Sequence, residues 1–103
     1  MNLGELTIEA AKPLEGTTFE VPLPDGGTTT MKLDQVLAYE VRERRPSKTP
    51  RRAPFSMFFL GDPSIVLPQG MYTFRSEALT LETLFIVPIA NDKAATEYEA
   101  VLA

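Results

Sequence analysis

Residues 54–103 read PFSMFFLGDPSIVLPQGMYTFRSEALTLETLFIVPIANDKAATEYEAVLA, and this stretch decides the fold. It contains three dense apolar runs, at residues 55–60, 79–89 and 98–102, and turn-forming residues separate them. The first two runs are apolar on both parities, as in strands that are buried on both faces. Glycine, proline, asparagine and aspartate between the runs mark turns. The stretch therefore predicts a series of short strands joined by tight connections.

The alternation of apolar and polar residues predicts where these strands lie. The predicted strands are residues 55–60, 65–67, 71–75, 79–89 and 96–102. Pro88 marks the end of the fourth strand or a bulge in it, because proline cannot donate to a strand ladder. Residues 76–84, SEALTLETL, also have some helical spacing, so a helix over this segment is the competing prediction.

The N-terminal part predicts a short helix followed by a β-hairpin. Residues 5–16 contain good helix formers after a possible N-cap at Thr7, and Pro13 and Gly16 end the helix early. We expect Ile8 and Leu14 to pack on the sheet. The hairpin pairs residues 17–23 with residues 28–41 through the turn Pro24-Asp25-Gly26-Gly27. Pro22 indicates a sheet edge or a bulge, and the apolar parity of the second strand changes near Asp34-Gln35, which indicates a bulge there.

These elements predict an all-β, mainly antiparallel fold. The expected architecture is a small, partly open barrel or sandwich of six to seven strands with a short N-terminal helix. A length of 103 residues corresponds to about one domain, spanning 1–103. Residues 42–54, RERRPSKTPRRAP, form a basic, proline-rich internal loop. This loop is not a domain linker, because the 41 residues before it are too few to build a core.

Composition excludes several kinds of chemistry. The chain lacks cysteine, which excludes a disulfide-stapled scaffold, and it lacks histidine, which removes the serine triad and the usual transition-metal ligand. The carboxylates show no convergence in sequence, and Glu97 and Glu99 are expected on the solvated face of the last strand. We therefore expect no catalytic residue, no metal site and no cofactor.

The N-terminus has no signal-peptide pattern, and no apolar run approaches the ~18 residues of a membrane helix. The expected location is the cytoplasm or an assembled particle, without a membrane span.

Charge is distributed unevenly along the chain. The net charge is −4, whereas residues 42–52 carry six basic residues against the single acid Glu43, a local charge of +5, which leaves −9 for the rest. The basic residues are candidates for contact with an anionic partner: Arg42, Arg44, Arg45, Lys48, Arg51 and Arg52. No aromatic residue interleaves them and the whole chain is acidic, so nucleic acid is an unfavoured partner. The alternative is that residues 42–52 form a solvated loop between strands without a binding role.

The predicted strands at residues 55–60 and 79–89 are apolar on both faces, and a barrel of this size cannot readily bury both faces. Either the helix covers one face, or part of this surface meets another copy or another protein. If the aromatic residues belong to the core, alanine at Phe59 or Phe85 should cost about 3–5 kcal/mol.

Four motifs resemble an uncharacterised bacterial domain family of unknown function. They are FSMFFLG at residues 55–61, LPQGMYTF at 67–74, LFIVPI at 84–89 and YEAV at 98–101, and the opening LTIEAAKPLEGTTFEV is also similar. The resemblance carries no catalytic residues. It implies that the domain occurs together with phage-tail-like or fibre-like proteins in bacterial genomes. The expected function is therefore a non-enzymatic structural or adaptor module in a larger protein assembly, and the alternative is a binding module that uses residues 42–52 on an anionic partner.

Overall fold

The computed structural model describes residues 3–38 and 54–102. Over these residues, six antiparallel strands form a closed barrel in the order β1-β2-β3-β6-β5-β4. The strands are β1 Thr18–Pro22, β2 Thr28–Ala38, β3 Phe55–Gly61, β4 Gly70–Arg75, β5 Thr80–Asn91 and β6 Thr96–Leu102. The predicted all-β class, with a small barrel and a short N-terminal helix, is confirmed.

The predicted N-terminal hairpin is present. β1 and β2 pair from Thr18 with Lys32 to Pro22 with Thr28. In the turn, the Asp25 carboxylate accepts a hydrogen bond of 2.7 Å from Gly27 N, and Gly26 has a φ of 90°, a conformation that glycine adopts without steric cost. The register of β2 with β3 shifts between Leu33 and Gln35, so the predicted bulge is also confirmed.

The C-terminal strands follow the predicted order with one correction, and the predicted strand over residues 79–89 is present in place of the competing helix. Residues 65–67 form no strand, and residues 76–84 form no helix but the β4–β5 turn and the start of β5. The helical spacing of that segment is overridden by pairing of β5 with β4, from Thr80 opposite Arg75 to Ile86 opposite Gly70. Pro88 lies at a register shift within β5, so it marks a bulge and not the strand end.

Three phenylalanine rings pack in the centre of the barrel. Phe19, Phe59 and Phe74 are fully buried, and their ring centroids lie 4.5–6.1 Å apart. Phe59 is therefore a core residue, as predicted. The prediction for Phe85 was wrong, because its side chain lies on the barrel exterior and is 45% exposed.

The N-terminal helical turns, Leu3–Glu5, α1 Ile8–Ala11 and Lys12–Leu14, contact β5 and β2. Thr7 caps α1, and its hydroxyl accepts a hydrogen bond of 3.2 Å from Ala10 N. Ala11 is fully buried, and the Glu15 carboxylate accepts a 2.7 Å hydrogen bond from Val36 N. Ile8 and Leu14 pack against the core, as expected. None of the helices in the described part of the chain has the length and apolar character needed to span a membrane.

The β3–β4 connection is tied to β6 by buried hydrogen bonds. Leu67 in this connection is 7% exposed, and its backbone N–H donates to the Tyr98 hydroxyl at 2.9 Å. The Thr96 hydroxyl bonds to the carbonyl oxygen of Ile65 at 2.9 Å. Leu67 therefore belongs to the core, although the connection contains no regular secondary structure.

Candidate functional site

The barrel is closed by a narrow seam between β1 and β4. These two strands share one registered pair, Glu20 with Arg75. In the same register the next exterior pair would be Pro22 with Thr73. Pro22 has no N–H to donate, and the register of β4 with β5 shifts between Tyr72 and Phe74, around Thr73. The ladder therefore ends after one pair, and the strands diverge.

A groove follows this seam on the barrel exterior, and we call it the seam groove. Its two halves have volumes of about 320 Å³ and about 430 Å³, and we call them the apolar half and the polar half after the types of residue that line them. The apolar half is lined by Pro22, Leu23, Pro24, Met71, Tyr72, Thr73 and Arg75, and the polar half by Thr18, Glu20, Thr30, Arg75, Ser76 and Glu77. Arg75 lines both halves. The groove is an open surface depression.

The charges in the polar half do not pair with one another. Arg75 and Glu20 lie opposite each other across the seam, and Glu77 follows in the next turn. Within residues 3–38 and 54–102, one ion pair is closer than 4 Å, and it joins Lys12 and Glu15 at 3.7 Å. The Arg75 guanidinium is exposed and has no carboxylate partner among these residues. Within the described part of the chain, its charge is therefore unpaired.

The β4–β5 hairpin presents an apolar exterior surface beside the seam groove. Met71 and Phe85 are a cross-strand pair, and their exposed fractions are 67% and 45%. Val87 lies two residues along β5, on the same side of the sheet, and is half-buried. We call Met71, Phe85 and Val87 the hairpin face. Because Met71 also lines the seam groove, the two surfaces are continuous.

A strained residue directs Phe85 to the exterior. Thr83 has a φ of 55°, the one positive φ among the described residues other than glycine. Between the two registered pairs on either side of the shift, β5 has two residues, Glu82 and Thr83, whereas β4 has only Thr73. This extra residue makes a β-bulge. Strict alternation after Leu81 would place Phe85 inside the barrel. The extra residue shifts the parity, so that Leu84 and Ile86 are buried and Phe85 is exposed.

We expect Thr83→Asn to raise the free energy of unfolding by about 0.5–1 kcal/mol, because asparagine tolerates the left-handed conformation better than a β-branched residue. The matched control is Thr30→Asn, at an exposed, extended position of β2, where loss of a β-branched residue should lower stability by up to about 1 kcal/mol. Urea unfolding of both variants measures the difference. Equal destabilisation by the two substitutions would contradict strain at Thr83.

A second group of exposed apolar residues lies elsewhere on the barrel. Ser56 on β3 is paired with Leu37 of β2 on one side and with Val101 of β6 on the other. Leu37 is 45% exposed and Val101 is 52% exposed. Ser56 is buried between them, and its hydroxyl donates a 2.7 Å hydrogen bond to the Glu99 carboxylate. Leu37 lies on β2, three strands from β5 in the barrel order. Leu37 therefore faces away from the hairpin face, whereas Val101 lies on β6, which pairs with β5.

The basic residues predicted as an anionic-partner site lie outside the described residues: Arg42, Arg44, Arg45, Lys48, Arg51 and Arg52. Two carboxylates, Glu20 and Glu77, line the polar half of the seam groove. Over the described ranges, no three acidic side chains gather as metal ligands.

Two other carboxylates serve as turn acceptors. Hydrogen bonds from the Ser64 hydroxyl and N–H lower the pKa of Asp62, and those from the Ala95 and Ala94 N–H groups lower the pKa of Asp92. Ionisation of these aspartates thus supports the turns above pH 4, and this support is lost as the pH falls through their lowered pKa values.

Sequence reasoning did not single out the hairpin face, because residues 84–87 are all apolar and show no alternation. In LETLFIV, the buried residues Leu81, Leu84 and Ile86 do not share one strand parity. Such a break indicates an inserted residue, as the parity change near Asp34 correctly did in β2.

The fold and its surface define the class of this protein: a small antiparallel β-barrel with a filled interior and its distinctive features on the exterior. The chain belongs to a family described as a domain of unknown function, DUF6916, whose family model matches residues 6–102. This finding confirms the resemblance to an uncharacterised domain family. No curated protein and no solved structure matches the chain.

Proposed function

We propose that this domain is a non-enzymatic structural or adaptor module that contacts another protein chain through the hairpin face. The observation that carries the proposal is the outward orientation of Phe85 beside Met71, at a bulge with a strained threonine. A left-handed threonine costs roughly 1–2 kcal/mol, and exposing a phenylalanine forgoes part of its burial energy. Contact with a partner would offset both costs.

The composition of the hairpin face supports contact with protein. Aromatic residues, methionine and arginine are enriched in protein interfaces, and Phe85, Met71 and the adjoining Arg75 provide one of each. The barrel interior is filled by its own side chains, so the exterior surface is the part that is free to bind. The resemblance described above favours a phage-tail-like or fibre-like assembly, with the domain in the cytoplasm or in the assembled particle.

The test is capture of host proteins by the tagged chain after nuclease treatment, with quantitative mass spectrometry. We expect one protein, a second copy of the chain included, to be retained in stoichiometric amount, and the double variant Met71→Glu/Phe85→Glu to retain at least about tenfold less of it, as expected for buried hot-spot anchors.

The matched control is Leu37→Glu, because Leu37 and Phe85 are equally exposed at 45% but lie on different sides of the barrel. Leu37→Glu should bind as the unaltered chain does. Retention that is unchanged in the double variant would reject the hairpin face as the contact surface.

The alternative is a binding module in which residues 42–52 contact an anionic partner. The observation in its favour is the local charge of +5 in an otherwise acidic chain. The same capture experiment distinguishes it: binding through these residues should fall steeply with salt and disappear when Arg44, Arg45, Arg51 and Arg52 become alanine. Binding that survives both changes would reject this alternative.

A further inference from the structure

We infer that the hairpin face binds the hairpin face of a second copy of this chain around a two-fold axis beside the Met71–Phe85 pair. This inference rests on the proposed function and names the partner of the same surface. A two-fold contact is isologous, which means that the same patch is used by both copies and must be complementary to itself. Two further observations, charge and area, favour such a contact.

The centre of the hairpin face meets the requirement of self-complementarity. Met71, Phe85 and Val87 are uncharged, as is the adjoining Tyr72. Two such centres can meet without placing like charges opposite each other. This matters because a net charge of −4 makes most contacts between acidic exterior surfaces of two copies repulsive.

Charges of both signs lie at the rim of the same surface. Arg75 and Glu82 are exposed on the two strands of the hairpin, and Glu20 lies across the seam from Arg75. Within the described residues none of these three groups has an ion-pair partner within 4 Å. A two-fold axis that runs along the hairpin between β4 and β5 exchanges the two strands, so it brings Arg75 of each copy towards Glu82 of the other. The rim is therefore complementary to itself in charge, as the centre is in polarity.

The apolar area is sufficient for a weak, specific dimer. Met71 and Phe85, at 67% and 45% exposure, leave about 200 Å² of side-chain surface in contact with solvent. Tyr72, Val87 and the prolines of the seam groove extend the apolar surface to roughly 400 Å², the size of patch that commonly marks an interaction site. A standard interface buries about 800 Å² per partner and is a little more than half apolar. The patch and a polar rim of similar size meet that requirement.

The first measurement is sedimentation equilibrium of the full chain over a range of concentrations. We expect a reversible monomer–dimer equilibrium. Met71→Glu and Met71→Lys should each raise the dimer dissociation constant at least about 100-fold, because each places two like charges together beside the axis. An equimolar mixture of the two variants should restore association, since unlike charges then face each other. Leu37→Glu, the matched control, should leave the dissociation constant unchanged.

A second measurement uses the absence of cysteine from the chain. A single Met71→Cys substitution should give a disulfide-linked dimer under mild oxidation, because a disulfide requires the two β-carbons to approach within about 4.5 Å. Leu37→Cys, at a position that faces away, should remain monomeric under the same conditions. Both are substitutions of exposed side chains, so each variant is expected to fold.

Three results would overturn the inference. They are a chain that stays monomeric at concentrations of hundreds of micromolar, a dimer that Met71→Glu does not weaken, and a mixture of the Glu and Lys variants that fails to reassociate. A monomeric chain whose capture of another protein still requires Met71 and Phe85 would reject the two-fold dimer and leave the proposed function intact. Loss of both self-association and face-dependent capture would reject both.

Discussion

Replacing Phe59 with alanine is expected to lower the free energy of unfolding by about 3–5 kcal/mol, the largest effect among the substitutions considered for this barrel. Phe59 is fully buried, and its ring centroid lies 4.5 Å from that of Phe74 and 6.1 Å from that of Phe19. Truncation removes one of the three packed rings and leaves a cavity that the paired strands around it cannot close, because closed-barrel ladders hold the backbone apart.

The matched control is Phe85→Ala, which removes the same atoms from a side chain that is 45% exposed. Its expected cost is below about 1 kcal/mol, because little burial is lost. Urea unfolding of the two variants measures both costs, and the comparison requires that the free energy of unfolding fall with urea concentration at the same slope in each variant. Equal losses at the two positions would show that the assignment of Phe85 to the exterior is incorrect, and a loss below 1 kcal/mol at Phe59 would contradict the arrangement of the core.

Removing the hydroxyl of Tyr98 is expected to cost about 1–3 kcal/mol, although Tyr98→Phe leaves the ring in place. Tyr98 is 1% exposed, and its hydroxyl accepts the 2.9 Å hydrogen bond from Leu67 N and lies 3.4 Å from the Ile65 carbonyl oxygen. The substitution leaves the buried Leu67 N–H without its acceptor. An unsatisfied buried donor costs its full desolvation penalty, which exceeds the net worth of the hydrogen bond itself.

Tyr72→Phe is the control for Tyr98→Phe. The Tyr72 hydroxyl donates to the Pro68 carbonyl oxygen at 2.9 Å, so it also ties the β3–β4 connection, but this bond is exposed to water. Its loss should cost less than about 0.5 kcal/mol, since water replaces the donor. A cost for Tyr98→Phe no greater than that for Tyr72→Phe would reject the buried role of the Tyr98 hydroxyl.

The pH dependence of stability provides an independent check on Tyr98. Burial raises the pKa of its phenol above the ordinary value, and the hydrogen bond from Leu67 only partly opposes this. The folded state therefore holds the neutral phenol, and the resulting stability is complete below about pH 10 and is lost as the pH rises through the raised folded pKa. We expect the unaltered chain to lose more stability than Tyr98→Phe between neutral pH and this alkaline range. Parallel losses would contradict the burial of the phenol.

Most of the architecture could be predicted from the sequence. The turn Pro24-Asp25-Gly26-Gly27, the strands from residues 55 to 102 and the bulge near Asp34 follow from turn chemistry and from alternation, which are properties of neighbouring residues. Residues 65–67 were assigned wrongly. Their local pattern fits a strand, but they close the core beside Tyr98, a residue distant in the chain. The local pattern of residues 76–84 fits both strand and helix, and pairing with β4 selects the predicted strand.

The hairpin face shows most clearly what local patterns leave open. Phe85 lies in the most apolar run of the chain, so its composition alone indicates the core. Its exposure depends on the bulge at Thr83, which exists because β4 and β5 resume pairing one residue out of step. A shift of one residue moves every following side chain to the other side of a sheet, and an apolar run has no polar residue to indicate which side is outside.

The sequence by itself determined the all-β class, the number of strands to within one, the N-terminal helix, the excess of positive charge in residues 42–52 and the absence of cysteine and histidine chemistry. These depend on composition and on interactions between near neighbours. Only the tertiary structure decided that the barrel closes, that its closing seam is one pair wide and that Met71 and Phe85 meet on the outside. The physical reason is that closure arises from hydrogen bonds between β1 and β4, which are far apart in the chain, and that the β4–β5 register shifts within an apolar run, which has no polar residue to mark the change of side.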